Sequence, residues 1–219
     1  MVTRPGPAVP GAQARRVSEL GVTDLVAALR RGEVVAVPTD TVYGLAVDPR
    51  APGGVERVFA AKSRPESTAL PVLVADLAQA EPLVHPADHA ALSAIAGAHW
   101  PGALTVVARR AAGVDVALGG DGRTIGLRCS LHPAVRALCR AVGPLAVTSA
   151  NLHGGTPCTT AAEVRSIFGA VLPVLDGGPC VGVPSTVVAL TSDGGARLLR
   201  TGPVALADVL DSLARAARP

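Results

Sequence analysis

The sequence predicts a single α/β domain: a twisted sheet of mixed parallel and antiparallel strands flanked by helices, with a ligand site in a groove at one sheet face or edge. Three observations predict it. Apolar residues make up 49% of the 219 residues and aromatic ones only 2%, so the core is built from Val, Leu, Ile and Ala, as in a sheet covered by small-residue helices. Short apolar runs of buried-strand type interleave with helical patterns without strict alternation, which favours a mixed sheet over an all-parallel one. Polar residues separate consecutive buried runs, and such residues reach the sheet edge where α/β ligand sites lie.

Residues 1–16 are rich in Pro, Gly and Ala and read as a flexible N-terminal tail, leaving 17–219 as the domain. Thr23 suits a helix cap, with Leu25, Val26 and Leu29 on one face and Gly32 as the stop. A strand is expected over Val34–Val37, ended by Pro38, which cannot donate to a central ladder. Thr39-Asp40-Thr41 then turns into a second apolar stretch, Val42–Val47. A helix over about Gly54–Ala61 delivers Lys62 and Arg64 at its C-terminal end, and Pro65 stops it. Leu70–Val74 is the next strand, Ala87–Ala98 an Ala-rich helix, and Leu104–Ala108 a strand after Trp100-Pro101-Gly102. The turn Gly119-Gly120-Asp121-Gly122 leads into a strand over Thr124–Arg128, and His132-Pro133 opens a helix through Val142. Leu145–Val147 runs as a strand into Thr148-Ser149-Ala150-Asn151, after which Thr159 or Thr160 caps a helix to Phe168. Strands over Leu172–Leu175, Thr186–Leu190 and Arg197–Leu199 and a helix over Ala205–Ala216 complete the pattern, with no internal repeat.

Composition excludes several classes of function. There is no apolar run of about 18 residues for a membrane span, nor the apolar stretch of about 7–15 residues that a signal peptide needs. Cys129, Cys139, Cys158 and Cys180 form no C-x-x-C pair, so reduced cytoplasmic thiols are expected rather than disulfides or zinc. A net charge of +3 without basic runs or aromatic surface does not suit a general nucleic-acid platform. The only lysine follows Ala61, which rules out a P-loop. No G-x-G-x-x-G follows a strand, and no G-x-S-x-G elbow is present. His85 and His89 have i,i+4 spacing, but Pro86 stands between them and a solvated helix explains them better than a zinc site.

A repeated device remains, in which a strand ends and small hydroxyl residues or a lone cation follow. It occurs at Thr39-Asp40-Thr41, Lys62-x-Arg64, Thr124…Arg128, Thr148-Ser149-Ala150-Asn151, Ser185-Thr186 and Arg200. Hydroxyls and turn amides hold phosphate or carboxylate oxygens, and Arg binds either bidentately. Singly, each has a plainer reading: a turn or helix cap for the hydroxyls, a complement to the helix dipole for Lys62 and Arg64. Together on one sheet edge they would neutralise a polyphosphate and a small acid, a site that works by positioning and electrostatics.

The same segments resemble the YrdC family. The matching motifs are Pro-Thr-Asp-Thr-Val-Tyr-Gly-Leu (38–45), Lys-Ser-Arg-Pro (62–65), Trp-Pro-Gly-x-Leu-Thr (100–105), Thr-Ile-Gly-Leu-Arg (124–128), Thr-Ser-Ala-Asn (148–151), Pro-Ser-Thr-Val-Val (184–188) and Leu-Arg-Thr-Gly (199–202), in the family's order. The resemblance covers residues 18–205 and implies a YrdC-like sheet in the family's short form, the catalytic domain alone. It also implies the activity: L-threonine, bicarbonate and ATP, with Mg²⁺ on the phosphates, give threonylcarbamoyl-AMP and pyrophosphate. The product would pass to a tRNA threonylcarbamoyl transferase, and weak tRNA or RNA binding is a further possibility the family raises. Carried over by motif, Thr41, Arg128 and Ser185 would hold threonine, with Arg128 on its carboxylate. Lys62, Arg64, Thr124, Ser149, Asn151 and Arg200 would serve ATP, and Lys62, Arg64 and Arg128 the chemistry. Two positions depart from many relatives: Thr68-Ala69-Leu70 stands where a lysine precedes Pro-Leu, and Leu73 where some carry histidine. The same fold also serves carbamoyl-adenylate formation in hydrogenase maturation proteins, but within much longer chains with zinc-finger segments that nothing here resembles.

Overall fold

The structure, a computed structural model, describes residues 20–63 and 67–218. The expected tail over 1–16 and the expected site residue Arg64 therefore lie outside the described residues.

The eight strands among the described residues are β1 (Val35–Val37), β2 (Gly44–Val47), β3 (Val72–Leu73), β4 (Leu104–Arg109), β5 (Thr124–Arg128), β6 (Leu145–Ser149), β7 (Thr186–Leu190) and β8 (Ala196–Arg200). They form one sheet in the order β1-β2-β6-β3-β5-β4-β7-β8. The β3/β5 and β4/β7 pairs are parallel and the other five antiparallel, so the sheet is mixed as expected. The helices are α1 (Val22–Arg30), α2 (Gly54–Lys62), α3 (Leu77–Ala80), α4 (His89–His99), α5 (Pro133–Val142), α6 (Ala161–Phe168) and α7 (Leu206–Ala216). None of the described helices is long and apolar enough to cross a membrane.

Alternation along the strands separates two faces. Leu104, Val106 and Ala108 of β4, Ile125 and Leu127 of β5 and Val188 of β7 pack with residues of α2, α4 and α7 in the largest core cluster. Tyr43, Leu45 and Ala36 pack with α6 through Ala161 and Val164. On the other face, α1 and α5 cover Val35, Val37, Ala46, Leu73, Leu145 and Val147, all from β1, β2, β3 and β6. The corresponding face of β4, β5 and β7 floors a cavity instead.

Three local expectations change. The cap of α1 is Gly21, because Asp24 reaches back to accept the Gly21 N–H at 3.1 Å; Thr23 sits inside the first turn. The helix expected from Ala87 begins as a 3₁₀ turn over Pro86–Asp88, with the His85 ring accepting the Ala87 N–H at 3.2 Å, and becomes α4 at His89. Leu172–Leu175 is not a strand. It makes one parallel bridge, Ala36 to Val174, because Pro173 has no N–H to extend the ladder and Gly177-Gly178-Pro179 ends the run. The expected caps His132 and Thr160 are present, Thr160 accepting the Glu163 N–H at 3.2 Å.

Candidate active site

The uncovered part of the sheet floors a cavity of about 450 Å³, within the size range of small-molecule sites. Strand register explains its polar groups. The β4/β5 ladder pairs Val106 with Leu127, which sets Thr105 beside Arg128. Thr105 pairs with Val187 across β4/β7, and Val187 with Arg200 across β7/β8. One row across four strands thus carries a guanidinium at each end, with a hydroxyl and a valine between. Three strand spacings separate the two arginine backbones by roughly 14 Å, and both side chains line the cavity.

Arg128 is held on three sides. Its Nε donates to the Gly102 carbonyl at 3.0 Å, Nη1 to Thr41 Oγ1 at 2.9 Å and Nη2 to Asp40 Oδ1 at 2.7 Å. Asp40 Oδ1 also accepts from the Ser130 hydroxyl at 2.5 Å and the Leu131 N–H at 3.1 Å. Burial works to raise the Asp40 carboxyl, but the Arg128 charge and the hydrogen bonds from Ser130 and Arg128 outweigh it and hold it below the ordinary 3.8. Burial pulls Arg128 below its ordinary value against the opposing charge of Asp40, yet a guanidinium keeps its proton at neutral pH, so the pair is ionised.

The Thr39-Asp40-Thr41 turn works as a relay. Thr39 Oγ1 donates to the Val42 carbonyl at 2.7 Å, so in its 2.9 Å contact with Thr41 Oγ1 it is the acceptor. Thr41 therefore donates to Thr39 and accepts from Arg128, which fixes the direction of every proton in the chain.

At the other end, Arg200 donates from Nε to the Ser185 carbonyl and from Nη2 to Ser185 Oγ, both at 3.0 Å. Ser185 Oγ lies 2.9 Å from Thr105 Oγ1. Burial, and after it the charge of Arg128, pull Arg200 below its ordinary value. Arg200 thus feels the like charge of Arg128 across the cavity, and Asp40 pairs with Arg128 alone. An anion between them relieves that repulsion.

Of the expected residues, Thr41, Thr124, Arg128, Ser149, Ser185 and Arg200 come together as cavity lining. Lys62 and Asn151 are buried behind the wall, bonded to each other: Lys62 Nζ donates to the Ser149 carbonyl, to the Asn151 carbonyl at 2.7 Å and to Asn151 Oδ1 at 3.2 Å. Thr68 and Leu73 both line the cavity. Asp40, Ser130 and Thr105 were not singled out as site residues. Asp40 and Thr105 fell inside quoted motifs, but only the fold reveals that Asp40 meets a partner 88 residues away.

Among the described residues no three His, Cys, Asp or Glu side chains gather to hold a metal ion, and Asp40 is engaged by Arg128 and Ser130.

The profile of the Sua5/YciO/YrdC family, described as telomere recombination, matches residues 27–202. A provisionally named threonylcarbamoyl-AMP synthase of Mycobacterium tuberculosis (strain CDC 1551 / Oshkosh) is 38% identical over 195 residues, covering 88% of this chain and 89% of that one. The threonylcarbamoyl-AMP synthase of Serratia proteamaculans (strain 568) is 39% identical over 160 residues, covering 71% and 83%. The crystal structure of P. abyssi Sua5 complexed with L-threonine superposes with a TM-score of 0.79 at 32% identity. That match covers 87% of this chain but only 56% of Sua5, so the chain spans about half the length of that protein.

Proposed function

The chain belongs to the Sua5/YciO/YrdC family, and on that premise we propose that it is an L-threonylcarbamoyl-AMP synthase, a nucleotidyltransferase that makes threonylcarbamoyl-AMP and pyrophosphate from L-threonine, bicarbonate and ATP. The observation that carries this reading is the row of Arg128, Thr105, Val187 and Arg200, with a guanidinium at each end lining one cavity. Such a site suits a reaction that joins two anions, a carboxylate-bearing amino acid and a nucleotide.

In this proposal Arg128 takes the threonine carboxylate with the N–H groups left over from Asp40, Thr41 and Gly102. Thr41, bonded to Arg128, and Ser185, at the Arg200 end of the row, are assigned as hydroxyl partners of threonine, and Sua5 in complex with L-threonine supports an amino-acid site in this fold. Arg200, Thr124 and Ser149 line the wall assigned to the nucleotide. Lys62 and Asn151 back that wall, and Arg64 stays on the phosphate side by its motif alone. The threonine amine attacks the bicarbonate carbon and water leaves, giving a carbamate. A carbamate oxygen then attacks the α-phosphorus, and the bond to pyrophosphate breaks. Positive charge on both sides lowers the repulsion between carbamate and phosphate. With no group of three His, Cys, Asp or Glu side chains among the described residues, Mg²⁺ is assigned to the substrate: it would arrive with ATP and would lower the charge on its phosphates. The reaction is placed in the cytoplasm, in keeping with the four free cysteines, with a tRNA threonylcarbamoyl transferase as the consumer of the product.

The test is pyrophosphate release from ATP. It should require both L-threonine and bicarbonate; release that ignores either co-substrate would refute the assignment.

A further inference from the structure

Lys62, the only lysine in the chain, is 1% exposed and stands at the C-terminal end of α2. Its ammonium meets the turn that follows β6 from the interior, while Ser149 meets the cavity from the other side of that turn. Both donate to the same atom. Asn151 Oδ1 accepts from the Ser149 hydroxyl at 2.5 Å and from Lys62 Nζ at 3.2 Å. The amide's orientation is fixed, because Nδ2 donates to the carbonyls of Leu152 at 2.7 Å and Gly155 at 2.8 Å.

A hydroxyl has one proton. While that proton points at Asn151, Ser149 faces the cavity only as an acceptor, which is the wrong polarity for an anion. To donate outward, Ser149 must let go of Asn151 Oδ1, and a buried acceptor stripped of every donor is costly. Lys62 removes that obstacle, since its own N–H stays on Oδ1. We infer that Lys62 is a positioning residue: it holds the Ser149–Asn151 turn and keeps Asn151 Oδ1 satisfied, so that the Ser149 hydroxyl is free to turn its proton toward an anionic ligand. On the synthase reading, on which this inference rests, that ligand is a nucleotide phosphate. Lys62 then acts through Ser149 from behind the wall rather than by touching phosphate.

A single lysine makes the test direct. Full-length protein labelled with ¹⁵N-lysine gives one side-chain amine signal, to be followed as a non-hydrolysable ATP analogue is added with Mg²⁺ and L-threonine. The expected spectrum keeps the Lys62 Nζ couplings to carbonyl carbons and gains none to ³¹P. A ³¹P coupling would overturn the inference. Affinity for the analogue gives a second arm. Lys62→Met and Ser149→Ala should each weaken binding about tenfold, and the double variant no more than either alone, because the two residues form one unit. An additive loss of about a hundredfold would overturn the inference too. Wild-type protein that binds no analogue refutes the synthase reading itself, which separates that failure from a failure of the positioning role.

Discussion

Arg128 spends its guanidinium on acceptors from three segments, Gly102, Thr41 and Asp40, so its direction is set before any substrate arrives. Lysine would keep the charge and lose the fork. Arg128→Lys should therefore raise the KM for threonine and lower kcat/KM by about a hundredfold or more, with the unfolding curve as a control for intactness. Asp40 makes a prediction about acid. Its folded pKa lies below the ordinary 3.8, so the stability it contributes is complete above that value and is lost as pH falls from there through the folded value. Urea unfolding midpoints measured across this range should drop with acid in the wild type, and Asp40→Asn should flatten the drop. Asp40→Ala leaves Arg128 buried without its counter-ion and should cost about 3–5 kcal/mol. Sequence showed Arg128 as a lone cation after a strand, and it showed Lys62 as one at a helix end. It could not show that the first is fixed by Asp40 or that the second turns inward, because both facts depend on contacts 87–89 residues apart.

The strands that carry the site were legible as elements because their apolar runs are bounded by Pro, Gly and hydroxyl residues. β4, β5 and β7 begin at the expected residues, and α5 and α6 start from the expected caps. Leu172–Leu175 had the same apolar look and failed as a strand, since periodicity does not count available N–H groups. Two glycines show how elements shape the cavity. A Cβ on Gly202 would lie 2.2 Å from the Thr186 nitrogen and 2.5 Å from the Ser185 carbonyl carbon, so the chain after β8 packs on the backbone that presents Ser185. Gly202→Ala must push that backbone away, and an overpacking cost of about 1–3 kcal/mol with a raised threonine KM is expected from thermal unfolding and kinetics. Gly126, on the cavity floor, is the contrast. A Cβ there meets Pro71 Cβ at 3.5 Å and Thr105 Cγ2 at 3.6 Å, ordinary contacts. Gly126→Ala should stay within about 1 kcal/mol of wild type in stability while weakening substrate binding, because the added methyl enters the cavity.

At the scale of the whole molecule, the site exists because the sheet is larger than the helices that cover its second face. α1 and α5 shield residues of β1, β2, β3 and β6, and the chain leaves the same face of β4, β5 and β7 to small, polar and cationic side chains. A mixed sheet was readable from the interleaved pattern, but its strand order was not. β6 lies between β2 and β3, and β4 between β5 and β7, which brings positions far apart in sequence into one row. The order is what puts Arg128 and Arg200 at two ends of a single cavity and makes an anion-joining reaction its natural use. That claim is open to one direct measurement: ¹³C-bicarbonate, L-threonine and ATP incubated with the protein, with the adenylate product identified by mass spectrometry. The account predicts a ¹³C-labelled threonylcarbamoyl-AMP from the wild type and its loss from both Arg128→Ala and Arg200→Ala. An adenylate without the label, or equal product from either variant, would contradict it.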